Sequence, residues 1–184
     1  MKRKRIYAVV DIEGTGSPAN KNGITEIAIV LFDGNKIIDQ YETLVNPKMP
    51  IPKYVAKLTG ISDKMVAEAP LFEEVAPTIL KLLQKTIFVA HNAGFDYPYL
   101  RYYLEQAGHK LDNPVLCTLE LSRKAFPNLV KHGLESLCDD LKICIDNRHR
   151  AGGDALATTK VLELILNNGG EKLAESMVKK DFCS

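Results

Sequence analysis

Ile6-Tyr7-Ala8-Val9-Val10-Asp11-Ile12 is a near-continuous apolar run broken once, by an acid. A run of this kind reads as a buried strand. Glu13 follows two positions after Asp11. The period of two along a strand points both carboxylates to one face. Like charges side by side repel, so a cation between them is the natural compensation. Taken alone, the Asp-x-Glu pair fits a solvated strand end as well.

Reading outward, Gly14-Thr15-Gly16-Ser17-Pro18 is turn-rich, and a second strand is expected from Glu26 to Phe32. Asp33-Gly34-Asn35 is a hairpin signal, and a third strand runs from Lys36 to Val45. The fold therefore opens with an antiparallel three-strand meander. Further on, helical spacing appears over Tyr54–Leu58, Phe72–Gln84, Asp96–Ala107, Leu119–Ala125, Leu134–Leu141 and Asp154–Leu166. Pro77 must lie near the first turn of its helix or kink it. Short strands at Ile87–Ala90 and Val115–Cys117 alternate with these helices. The pattern predicts an α/β fold with a mixed sheet, the meander plus parallel strands, flanked by helices. The stretch 167–184 reads as a C-terminal tail, either a peripheral helix or frayed.

The 184 residues suffice for one domain with its own core. The formal charge is +1, so bulk charge does not advertise nucleic-acid binding, and any such surface must be local. Lys2-Arg3-Lys4-Arg5 reads as a solvated basic end rather than a phosphate contact. The apolar run behind it is too short for a signal peptide or a membrane span, which predicts a cytoplasmic protein with no membrane partner. Cys117, Cys138, Cys144 and Cys183 lack the paired spacing of a zinc site and read as free thiols in a reducing compartment.

Two further acidic patches join the first. Asp96 closes His91-Asn92-Ala93-Gly94-Phe95-Asp96, just beyond a buried strand, where ligands collect in α/β sheets. Asn92 can equally be a helix N-cap, and His91 can simply pack at the strand end. Asp154 closes His149-Arg150-Ala151-Gly152-Gly153-Asp154 and opens a helix, where the dipole alone favours an acid. Gly152-Gly153 is expected to turn the chain, so that His149 rides a mobile loop over the site. Arg148 and Arg150 are expected to meet phosphates. Combined, four carboxylates can balance two divalent cations that clamp the attacking and leaving oxygens of a phosphoryl displacement. A histidine can then take a proton from the attacking water. Oxygen-only ligands suit Mg2+ or Mn2+. A dinucleotide site at Gly14-Thr15-Gly16 would need a third glycine and a helix, neither of which follows. A binding module without catalysis would need neither His149 nor four acids.

With these patches in order, the sequence resembles the DEDDh 3′–5′ exonucleases, relatives of the proofreading epsilon subunit of bacterial replicative polymerase. The resemblance covers roughly Ile6 to Leu166, and residues 1–166 are expected to form the exonuclease domain. It rests on Val10-Asp11-Ile12-Glu13-Gly14-Thr15-Gly16, Glu26-Ile27-Ala28, Leu58-Thr59-Gly60-Ile61, His91 to Asp96, His132-Gly133-Leu134-Glu135-Ser136-Leu137, and His149 to Asp154. One departure is Cys117 before Thr118-Leu119, where family members often carry aspartate. The resemblance implies a ribonuclease-H-like fold. It implies Asp11, Glu13, Asp96 and Asp154 as metal ligands for two ions, and His149 as general base. Gly14, Thr15, Gly16, Leu58, Ile61, His91, Asn92 and Phe95 would meet substrate. The implied partners are single-stranded 3′ ends of DNA or RNA, and a DNA polymerase or repair protein; trimming of RNA 3′ ends is the alternative.

Overall fold

The computed structural model describes residues 5–180; Lys2, Arg3, Lys4 and Cys183 lie outside them. In chain order the elements are β1 (Tyr7–Gly14), β2 (Ile24–Phe32), β3 (Ile37–Leu44), α1 (Lys53–Thr59), α2 (Asp63–Val66), α3 (Phe72–Leu83) and β4 (Ile87–Ala90). There follow α4 (Ala93–Gln106), β5 (Val115–Cys117), α5 (Thr118–Ala125), α6 (Leu134–Leu141), α7 (Ala151–Ile165) and α8 (Glu171–Met177). The sheet order is β3-β2-β1-β4-β5. β1 pairs antiparallel with β2, β2 antiparallel with β3, and β4 runs parallel to both β1 and β5. This is the expected mixed α/β sheet, meander first.

The two faces of the sheet separate by residue parity. Ala8, Val10 and Ile12 of β1 join Ile27 and Ile29 of β2 against α3 and α4. Tyr7 and Val9 join Ala28, Val30 and Phe32 against Ala151, Ala155, Val161 and Leu162 of α7. Asp11 and Glu13 share the parity of Val9, so they face α7. Glu26 shares the parity of Ala28, and Ala28 lies opposite Glu42 in the register. The α7 face of the sheet is thus apolar over most of its length and acidic at one end.

Several local expectations are sharpened or corrected. Pro77 sits in the second turn of α3, where it removes the N–H that the Glu73 carbonyl would accept. The stretch after Leu166 forms α8, and Val115 bridges Lys179, with N–H to O distances of 2.8 and 2.9 Å. Ala174 is fully buried in the α7-side core. Arg5 is ion-paired with Glu175 of α8 rather than simply solvated. Among the described residues, no helix is long and apolar enough to cross a membrane.

Most consequentially, α7 begins at Ala151, a turn before Asp154. Gly152-Gly153 lies inside the helix and does not break it. The pair is required by close approach. A Cβ on Gly152 would stand 2.2 Å from Glu42 Oε2, and one on Gly153 would stand 2.1 Å from the Asp146 carbonyl oxygen. A carboxylate end can swing away; a backbone carbonyl cannot. Gly153→Ala is therefore expected to lower stability by about 1–3 kcal/mol, the range for overpacking, and Gly152→Ala by clearly less. Thermal melts of the two variants check this, and equal losses would refute the backbone argument.

Candidate active site

β1 outruns β4. The parallel register ends at Val9↔Val89, so the amide of Ile12 has no strand partner on that side. Asp96, in the first turn of α4, fills the gap: its Oδ1 accepts the Ile12 N–H at 3.1 Å. Asp96 is 4% exposed and stands beside Asp11 at the strand end. From the other side α7 brings Asp154. Carboxylate oxygens of Asp11, Glu13 and Asp154 all lie within 4.8 Å of one another. The four acids found in three separated patches of sequence therefore converge.

Their electrostatics are severe. Burial raises the Asp11 carboxyl well above the usual range, and the charges of Asp96, Glu13, Asp154 and Glu26 push it further. Glu13 is pushed up to about 8, by burial first and then by Asp154, Glu26 and Asp96, against a lowering effect of Arg150. Asp96 is raised by burial, against the backbone hydrogen bond from Ile12. Asp154 is also raised by burial; the charge of His149 and a backbone hydrogen bond from it pull the other way. At neutral pH such a set is relieved by bound protons or by a multivalent cation. The donors are oxygens alone, which fits a hard divalent ion.

His149 lies next to Asp154, and both line an open cleft of about 280 Å³ with Leu134, Glu135 and Ile145. Each adjacent arginine already has a carboxylate partner, and Arg148 also lines this cleft. Arg148 pairs with Glu135 and Arg150 with Glu26.

The Gly14-Thr15-Gly16 turn is pinned to α4. The Tyr99 hydroxyl donates to the Gly16 carbonyl at 3.0 Å, and the Thr15 N–H donates to the Gly23 carbonyl at 2.8 Å. Thr15 is buried, and its hydroxyl accepts the Gly23 N–H, so the turn offers backbone rather than the threonine side chain. Phe95 is 36% exposed and packs its ring 5.3 Å from that of Tyr99, which places it beside this turn.

The remaining expected substrate contacts divide. Leu58 is 55% exposed on α1, but Ile61 is fully buried against Ile51, Val55 and Val66. Ile61 therefore anchors its loop and presents nothing to a ligand. His91 is also turned inward. Its Nε2 donates to the His132 carbonyl at 2.8 Å and its Nδ1 faces the Thr118 hydroxyl at 3.0 Å. Burial lowers it to about 4, so it is a neutral internal crosslink. Asn92 stands exposed at the N-cap of α4 in left-handed backbone, with no side-chain capping bond. The feature that sequence reasoning passed over is Glu26, 1% exposed on the α7 face. An acid at a buried parity position of a strand was the available signal.

Set beside known proteins, the sequence matches the RNase_T exonuclease family over residues 8–162. The chain belongs to this exonuclease family. The DNA polymerase III epsilon subunit of Aquifex aeolicus is 36% identical over 161 residues, covering 87% of this chain and 80% of that one. A PolC-type DNA polymerase III of Caldanaerobacter subterraneus is 39% identical over 94% of this chain, which spans only 12% of the polymerase. The 3′–5′ exonuclease DinG of Bacillus subtilis is 39% identical over 89% of the chain, which spans 18% of that protein. Among solved structures, exonuclease X in complex with 5′ overhanging duplex DNA superimposes with a TM-score of 0.76 at 30% identity, covering 93% of this chain and 96% of that one. The nuclease domain of 3′hExo, a DEDDh family member, shares the fold with a TM-score of 0.79 at 18% identity.

Proposed function

We propose that the protein is a metal-dependent 3′–5′ exonuclease that removes nucleotides one at a time from single-stranded or frayed 3′ ends of DNA, releasing 5′-monophosphates. The observation that carries this reading is the convergence of Asp11, Glu13 and Asp154 within 4.8 Å, with Asp96 and His149 alongside. Two ions, Mg2+ or Mn2+, would be held by the four acids and would supply charge stabilisation at the attacking and leaving oxygens. Asp11, centred among the acids, would contribute most to holding the ions. His149 takes the proton from the attacking water. The bond from phosphorus to the 3′ oxygen breaks, so phosphate leaves on the 5′ oxygen of the released nucleotide.

The backbone of Gly14-Thr15-Gly16, with Phe95 and Leu58, grips the terminal nucleotide. Apolar and stacking contacts tolerate any base, which suits a degrading enzyme. A site for one unpaired end needs few phosphate contacts, in keeping with the +1 charge. Similarity to the epsilon and PolC-type polymerase proteins supports service beside a replicative polymerase or a repair protein.

End-labelled single strands incubated with Mg2+ test the reading. Degradation is expected to stop when a bulky group blocks the 3′ end and to continue when it blocks the 5′ end, with mononucleotides as product. Cleavage of a closed circular single strand would show an endonuclease and overturn it. RNA consumed much faster than DNA would move the assignment to RNA 3′-end trimming.

A further inference from the structure

His149 stands between two arginines, and each is gripped by a carboxylate from another part of the fold. On one side, Arg148 forms a two-pronged pair with Glu135 in the first turn of α6. On the other, Arg150 Nε donates to Glu26 Oε1 at 3.1 Å and Oε2 at 3.0 Å, and its terminal nitrogen closes on the same carboxylate. Glu26 Oε2 also accepts the Ala151 N–H at 2.9 Å, so one buried side chain holds both Arg150 and the first residue of α7. Planar guanidinium–carboxylate pairs of this kind fix direction as well as distance. Glu26 lies directly opposite Glu13 in the β1–β2 register. The anchor for the histidine's neighbour is therefore built on the strand position beside Glu13.

The backbone at and just before the grips is unusual. Asn147 has φ 54° and His149 φ 58°. Left-handed backbone is strained for a histidine and persists where its surroundings over-determine it. A loop free to relax would leave that region.

We infer that Arg148–Glu135 and Arg150–Glu26 form a two-sided clamp that holds His149 in its left-handed conformation over the carboxylates. Glu26, Glu135, Arg148 and Arg150 are then positioning residues acting through His149. The inference rests on His149 being the general base. It differs from mere stitching of β2 to α7 because its effect must vanish when the imidazole is absent.

The test is a double-mutant cycle in the full chain, with single-stranded DNA and saturating Mg2+. The paired variant Glu26→Gln/Arg150→Met removes one grip without orphaning a buried charge, and Glu135→Gln/Arg148→Ala removes the other at an exposed pair. Each is expected to lower kcat by about 10–100-fold, the scale of an ångström-level misplacement, with KM unchanged. In a His149→Ala background each is expected to add no further loss. Wild-type kcat in the clamp variants, or a loss that persists fully in that background, would overturn the clamp alone. If the buried-pair variant does not fold, the exposed-pair variant decides on the same criterion. Wild-type kcat in His149→Ala itself would overturn the general-base reading, and the clamp with it.

Discussion

Replacing Asp11 with alanine is expected to abolish hydrolysis while leaving the metal-free protein at least as stable as the wild type. Asp11 is crowded by Asp96, Glu13, Asp154 and Glu26, and burial and these charges together raise its carboxyl. On the proposed function, removing it would delete a ligand of the metal; in the absence of metal it relieves repulsion. The pH dependence follows from the direction of the shifts. Glu13 moves from 4.5 to about 8 on folding, and Asp11 and Asp96 are also raised. A raised folded value means these groups favour the fold below their unfolded values and lose that contribution as pH climbs through the folded ones. Metal-free wild type should therefore lose melting temperature between about pH 4.5 and 8. Asp11→Ala should lose less over that window. Mg2+ should restore the wild type at pH 8 and have a much weaker effect on the variant. Chelator-resistant activity, or a melting temperature of metal-free wild type that is flat or rising across the window, would refute the account.

The strands were legible because parity and turn chemistry act locally. Ile6 to Ile12 reads as buried, and the Asp-x-Glu spacing alone places Asp11 and Glu13 on one face, which the sheet then turns toward α7. The start of α7 was misplaced because Gly152-Gly153 has two physical uses, permitting a turn or permitting contact. Only the proximity of Glu42 and the Asp146 carbonyl distinguishes them. Arg150 looked like a phosphate ligand because its partner, Glu26, is 124 positions away, and no local spacing encodes that pairing. Ile61 likewise carries an apolar side chain three residues from Leu58; helix end and loop geometry send one to solvent and the other to the core.

His149→Ala is expected to lower turnover by about 10²–10⁴-fold, the usual contribution of a positioned general base, without loss of metal binding. The four acids meet one another through β1, α4 and α7, independently of the His149 side chain. Its ring lines the cleft from the loop preceding α7, with Asp154 as its neighbour. Isothermal titration with Mn2+ should give the same stoichiometry in wild type and variant. Loss of imidazole alone leaves a hole open to the cleft, so free imidazole added to His149→Ala should recover part of the rate, and it should recover none in Asp11→Ala. That contrast separates the two proposed roles: a missing proton acceptor can be replaced from solution by imidazole, whereas a missing carboxylate of the acidic cluster cannot. Lost metal binding in His149→Ala would instead make His149 a ligand and remove the general base from the mechanism.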